Sequence, residues 1–275
     1  MARSLRVLTL NCWNVSEPFA ARMAMIRAGV VALQPDLIGL QEIVVRRDGL
    51  DQGAAILAGL GYHCVFAPAF RWDENSQVLA AEADGDGFGN LIASRWPIRA
   101  HDRLALPGSE SGERRCALAA LIEAPFGVVP FLTTHLNWRF HHGCIRERQV
   151  AALADFTREW AHGAAFPPII VGDLNAEPDA TEIRFLCGLA SIDGRSTYFQ
   201  DAWRVAGAGP GYTWDNRNRF AGYMFEPDRR IDYILAGIAD TSGRGRIERA
   251  QLVFDEPADG VFASDHFGVM ADVRV

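Results

Sequence analysis

The sequence predicts a mixed α/β (α+β) fold, organised as one domain over residues 1–275. Three observations carry that expectation. Short apolar runs rich in β-branched residues recur from one end of the chain to the other. Apolar patterns with a 3.6-residue period lie between some of them, and no internal repeat, low-complexity tract or linker-like shift in composition divides the chain. At 275 residues and 49% hydrophobic, the chain has enough apolar material for a sizeable core.

In chain order, strands are expected at 6–10, 37–40, 90–93, 118–122, 128–133, 169–172, 231–235 and 268–273, each a short apolar run bounded by turn-forming residues. Helices are expected at 20–33, ending before Pro35, at 52–59, at 145–161, and at 181–189 behind an Asp179 cap. Segments dense in Gly, Pro, Asp and Arg at 68–88, 106–115, 138–144 and 206–230 are long for connections, so they are expected to rim a site. The glycine-rich run Gly85 to Asn90 precedes a strand instead of opening a helix, which makes it a turn and not a nucleotide cradle. Trp13, Trp96 and Trp160 read as core, and Trp72, Trp138 and Trp214 fall in the expected rim loops.

Composition narrows the function. No stretch reaches the roughly 18 to 20 apolar residues of a membrane span and the first residues lack the order of a secretory signal, so no stable membrane insertion and a cytoplasmic location are expected. Five cysteines, odd in number and never spaced C-x-x-C, indicate neither a disulfide framework nor a thiolate zinc site. A net charge of −7 argues against wrapping nucleic acid without regard to sequence. All 27 basic residues are arginine, which removes lysine Schiff-base chemistry and any P-loop.

Six of the expected strands end in, or run into, a polar residue of catalytic type: Asn11, Glu42, His135, Asp173 with Asn175, Asp232, and Asp265 with His266. Taken singly, such an Asn is more often a turn residue, such an Asp a helix cap, and such a His a satisfied core or surface group. Recurrence at strand ends along the whole chain shifts the balance, because ligand and catalytic groups of layered α/β proteins collect there. Carboxylates and amides together form an oxygen-rich set suited to a hard cation, Mg²⁺ or Mn²⁺. Such an ion neutralises phosphate oxygens while a His and an Asp handle the attacking water. Asp173 and Asn175, two apart on an extended chain, are expected to point the same way.

The motifs LTLNCW, DLIGLQE, GNLIASRWPI, TTHLNW, VGDLNAEP, RRIDYIL and SDHFGV, in that order from residue 8 to residue 269, resemble the endonuclease/exonuclease/phosphatase superfamily, the DNase I-like proteins. The resemblance implies a four-layer sandwich, two packed β-sheets flanked by helices, with the site at one open end. It implies that Asn11, Glu42 and Asp265 hold or orient the metal, and that Asp173 and Asn175 sit by the attacking water and the phosphate. His135 would then stabilise the pentacovalent phosphate and His266 pair with Asp232. Trp13 stands where apurinic endonucleases of the family carry an Asp, and His135 stands where they carry a tyrosine, which disfavours abasic-site repair. NCW and THL are more similar to the DNase I and neutral sphingomyelinase branches, and the Y-T-W-D run at Tyr212 to Asp215 to uncharacterised bacterial members.

The expected activity is hydrolysis of a phosphodiester in a nucleic acid, a nucleotide-like ester or a lipid headgroup. A phosphomonoesterase of inositol-phosphate type and an inactive binding module are the alternatives. Substrate contacts are expected from Arg115, Asn137, Trp138 and Trp214, with Arg71, Arg114, Arg139, Arg217 and Arg219 on the rim. A monomer is expected.

Overall fold

Alternation along the strands builds the molecule. In β1 (Ser4–Asn11), Leu5 and Val7 face one way and Leu8 and Leu10 the other, and all four are buried, so the strand is covered on both faces. Leu5 and Val7 join a core between two sheets, and Leu8 and Leu10 join a core beneath helices. The computed structural model describes residues 4–70 and 87–275.

The first sheet contains β1, β2 (Leu37–Val45), β3 (His63–Phe70), β4 (Gly87–Ser94), β11 (Ile247–Val253) and β12 (Gly268–Arg274), in the order β11-β12-β1-β2-β4-β3. The second contains β5 (Ile98–Ala105), β6 (Cys116–Ala124), β7 (Gly127–His135), β8 (Ile169–Asp173), β9 (Gln200–Asp201) and β10 (Asp232–Ala236), in the order β5-β6-β7-β8-β10-β9. Their facing rows interdigitate: Leu37, Ile92 and Val269 of one meet Leu118, Phe131 and Val171 of the other. Gly39 lies where the sheets come closest, since a Cβ there would stand 2.3 Å from Val171 Cγ2.

Helices α1 (Phe19–Leu33) and α2 (Gln52–Leu57) cover the first sheet through Met23, Ile26, Val30, Ile56 and Leu57. Helices α3 (Gly143–Ala161) and α4 (Thr181–Leu186) cover the second through Val150, Leu153, Phe156, Ile183 and Leu186. Two further short helices, α5 (Ala202–Ala206) and α6 (Arg219–Gly222), start on Asp201 and Asn218, whose side chains accept the free amide hydrogens of the first turn. The result is the four-layer sandwich.

Several expectations need correction. The strands absent from the sequence reading are β3, β5, β9 and β11, which are the edges of the two sheets. An edge strand buries little: β5, IRAHDRLA, is exposed over most of its length and gives no apolar run to find. Asp179 does not cap α4, whose N-cap is Ala180 with no side-chain hydrogen bond. The 206–230 connection carries α6. Of the glycine-rich run, Gly85 and Asp86 lie outside the described residues, and Gly87 to Asn90 belong to β4, where Gly89 is required because a Cβ would meet the Ala67 carbonyl oxygen at 2.0 Å. Arg71 and Trp72 also lie outside the described residues.

Candidate active site

The inward rows of the strands change from apolar to polar at one end of the sandwich. Leu5 and Val7 continue in phase to Thr9 and Asn11 on β1, Val129 and Phe131 to Thr133 and His135 on β7, and Ile169 and Val171 to Asp173 on β8. β10 runs antiparallel to β8, so its first residue, Asp232, pairs with Asp173, while His135 pairs with Asp173 from the parallel side. Between the sheets, the buried Gln41 donates from Nε2 to Thr9 Oγ1 (3.1 Å) and to Thr133 Oγ1 (2.9 Å) and closes the floor. A bulge in the β2–β4 ladder after Leu40 then turns Glu42 out, at φ +57°.

The groups so gathered line a cleft of about 600 Å³ that contains Glu42, His135, Asp173, Asn175, Asp265 and His266. Asn11 and Asp232 lie behind them, each 1% exposed. Asn11 Nδ2 donates to Glu42 Oε1 (3.2 Å) and Asp173 Oδ2 (3.0 Å), and its Oδ1 accepts from Trp13 N. His266 Nδ1 stands 2.9 Å from Asp232 Oδ2, and its Nε2 is 3.7 Å from Asp173 Oδ2. His135 Nε2 approaches the same Asp173 oxygen at 3.3 Å.

Strand geometry does not bring Asp173 and Asn175 together as expected. β8 ends at Asp173, Asn175 sits at φ +48°, and its amide N–H donates to Asp173 Oδ1 (2.9 Å), so a turn directs both into the cleft. With Trp13 (φ +50°), Asn14 (φ +37°) and Glu42, four non-glycine residues of the cleft occupy the left-handed region, a strain typical of sites whose surroundings over-determine them.

Electrostatics separates the two histidines. Burial, then the charges of Arg115 and His266, hold His135 well below the usual imidazole range. Burial also opposes charge on His266, yet Asp232, Asp173 and Asp265 outweigh it and push the group up to about 10. Asp173 is raised to about 6 by burial and then by Asp232, and Asp265 to about 7 by burial and Glu42 against the pull of His266. The nearby guanidinium groups form no ion pair with these carboxylates among the described residues: Arg22 is turned to backbone carbonyls and Arg115 to Glu113 and His135. Asp232 Oδ1 is buried without a hydrogen-bond partner among the described residues. This surplus of oxygen donors fits a hard divalent cation. Among the described residues, Asp173, Asp232 and His266 bring donor atoms within 4.8 Å of one another, with the His266 and Asp232 atoms already turned to each other, and Glu42 and Asp265 also line the cleft.

Among the expected substrate residues, Arg115, Trp138 and Trp214 line the cleft, and the Trp214 ring packs edge-on to His266 at 5.1 Å. Asn137 does not reach it: fully buried, it accepts from Arg139 N and bonds Ser111 and His142, which fixes the loop carrying Trp138. Arg114 and Arg139 line the cleft, whereas Arg217 pairs with Asp215 beside a separate pocket. Trp13 is not core: the left-handed turn at 13–14 lays it against the cleft, with Phe220 at 4.7 Å.

Sequence reasoning missed Asn14, Arg22 and Glu113. Asn14 Nδ2 donates to Glu42 Oε2 (2.8 Å). Arg22 is fully buried and donates to the carbonyls of Cys12, Trp13, Asn14, Ser16 and Ala263, tying the turn after β1 to the loop before Asp265. One signal could have found it: Arg22, Ile26 and Val30 share the buried face of α1 at intervals of four.

A family model described as the Endonuclease/Exonuclease/phosphatase family matches residues 8–266. The putative neutral sphingomyelinase of Caenorhabditis elegans is 26% identical over 315 residues, 98% of this chain and 66% of that protein. Nocturnin of Rattus norvegicus is 25% identical over 217 residues, 72% of this chain and 49% of that protein, so the chain spans between about half and two thirds of these relatives. The structure of D. rerio TDP2 complexed with single strand DNA product superposes with a TM-score of 0.75 at 18% identity over 99% of both chains, a likeness of fold.

Proposed function

The chain belongs to the endonuclease/exonuclease/phosphatase family, and from that premise we propose that it is a Mg²⁺- or Mn²⁺-dependent phosphodiesterase acting as one domain and as a monomer. The observation that carries the proposal is the convergence of Glu42, Asp173, Asp265, His135 and His266 on one cleft, backed by the buried Asn11 and Asp232. Glu42 and Asp265 would hold the ion, with Asn11 and Asn14 orienting Glu42 through its two oxygens. When bound, the ion supplies charge neutralisation at the phosphate and the leaving oxygen.

The remaining work falls to the protein. Asp173, its Oδ1 fixed by the Asn175 amide, takes the proton of the attacking water as oxygen adds to phosphorus and the bond to the leaving oxygen breaks. His266, held by Asp232, carries positive charge beside Asp173 and protonates the departing oxygen. His135 donates a hydrogen bond to the phosphate as it becomes pentacovalent.

The substrate is a phosphodiester of nucleic acid or of a lipid headgroup, a reading supported by the single strand DNA product in the TDP2 structure and by the name of the C. elegans relative. No helix among the described residues is long and apolar enough to cross a membrane. The test is a Mg²⁺ panel of an aryl diester, single-stranded and duplex DNA, RNA, sphingomyelin and inositol phosphates, with His266→Ala as control. Hydrolysis of at least one diester, lost in the variant, is expected. Turnover confined to monoesters would make the chain a phosphatase, and no turnover of any ester would refute the reading.

A further inference from the structure

We infer that Arg115, itself held by Glu113, is a positioning residue that fixes His135 in the tautomer with its proton on Nε2, leaving proton exchange to Asp173 and His266. The inference rests on the phosphodiesterase reading for its consequence, but not for its geometry.

The geometry is a matter of which groups can donate. Arg115 Nη1 lies 2.9 Å from His135 Nδ1, both side chains being buried. A guanidinium has only donors, so Nδ1 must be the acceptor, and the single proton of the neutral ring stands on Nε2. That proton points at Asp173 Oδ2, 3.3 Å away in the cleft wall. Arg115 has little freedom to turn elsewhere. Its Nε and Nη2 both contact Glu113 Oε1, and its guanidinium lies 5.9 Å over the Phe88 ring.

His266 has the opposite arrangement. Its Nδ1 faces the Asp232 carboxylate, which only accepts while ionised, so Nδ1 carries a proton and Nε2 is the atom open to exchange toward Asp173. Two imidazoles that converge on one carboxylate oxygen are thus separated by their partners, a guanidinium behind one and a carboxylate behind the other. Arg115 reads from sequence as a substrate contact. In the fold, its guanidinium bonds among the described residues are directed at Glu113 and His135.

The experiment uses the full chain, metal-free, with ¹⁵N-labelled histidine and long-range ¹H–¹⁵N spectra, His135 being assigned from the signal lost in His135→Gln. The parent is expected to show the pattern of a neutral ring protonated on Nε2. Arg115→Met should convert it to a mixture of tautomers, Arg115→Lys should retain it, and Glu113→Gln should shift it part of the way. In steady-state assays Arg115→Met should lower kcat by about 10- to 100-fold, the range for partners that orient a functional His, with KM nearly unchanged. A parent signal protonated on Nδ1, or an Arg115→Met spectrum like the parent's with only KM raised, would overturn the inference. Should Arg115→Met fail to fold, the lysine and Glu113→Gln variants decide the same question. A parent inert toward every ester would defeat the phosphodiesterase reading while leaving the tautomer assignment standing.

Discussion

Replacing Arg22 with Met keeps most of the side-chain stem and removes a buried guanidinium that bonds five backbone carbonyls. The cost follows from what each carbonyl retains. Cys12 O and Asn14 O keep Gln52 Nε2, at 3.4 and 3.0 Å, and Trp13 O keeps the Ser16 amide at 3.3 Å. Ser16 O and Ala263 O lose the donors that Arg22 gave them, at 2.6 and 3.4 Å. At about 1–3 kcal/mol for each buried acceptor left without a partner, and less at the half-buried Ser16, the loss comes to about 2–4 kcal/mol. For a chain of this size that lowers Tm by about 3–7 °C. The left-handed turn at Trp13 and Asn14 should relax as well, and Asn14 should no longer hold Glu42 Oε2. Metal affinity and kcat should therefore fall together by about 10- to 100-fold. Differential scanning calorimetry gives the first quantity, and Mn²⁺ titration with turnover the second. A variant that melts lower but binds Mn²⁺ and turns over like the parent would show that Arg22 supports the fold without positioning Glu42.

Chelation with EDTA should abolish activity and Mg²⁺ or Mn²⁺ restore it, and Glu42→Gln should weaken Mn²⁺ binding by more than the roughly 10- to 100-fold that outer partners of a metal site control; full turnover in chelator would remove the metal from the mechanism. Asp232→Asn should lower kcat by about 10² to 10⁴. Because His266 is raised in the folded protein, its protonation contributes stability that is fully present below its ordinary value of 6.5 and is lost as pH rises through about 10. Without Asp232 that loss should begin at lower pH, and metal-free melts across this window that match the parent's would contradict the pair. Gly39→Ala places a methyl 2.3 Å from Val171 Cγ2 and 2.9 Å from Thr133 Oγ1, so urea denaturation should show a loss of about 1–3 kcal/mol, and an unchanged midpoint would mean that the sheets separate freely there.

The eight interior strands were legible because each is covered on both faces and so reads as a continuous apolar run. The edge strands were not, because a strand paired on one side can be polar and short, as β9 (Gln200–Asp201) and β5 show. Most of the site was legible for a related reason. Asn11, His135 and Asp173 close strand rows that begin apolar, Asp232 opens one whose later members are apolar, and a polar residue at the end of such a row stands out.

The sequence by itself determined the mixed α/β class, the interior strands and the polar residues that stand at several of their ends, because alternation and residue chemistry are local properties carried along the chain; the layer order came only through the family resemblance. Only the tertiary structure decided what each of those groups does. That Asn11 donates to Glu42 and Asp173, that Asn137 fixes a loop, that Arg115 faces His135 and that Arg22 ties 12–16 to Ala263 all depend on atoms far apart in sequence. A hydrogen bond is made or lost within a few tenths of an ångström. Register, bulge and turn set those distances here, through the shift after Leu40 and the left-handed residues at 13, 14, 42 and 175, and no residue type announces them in advance.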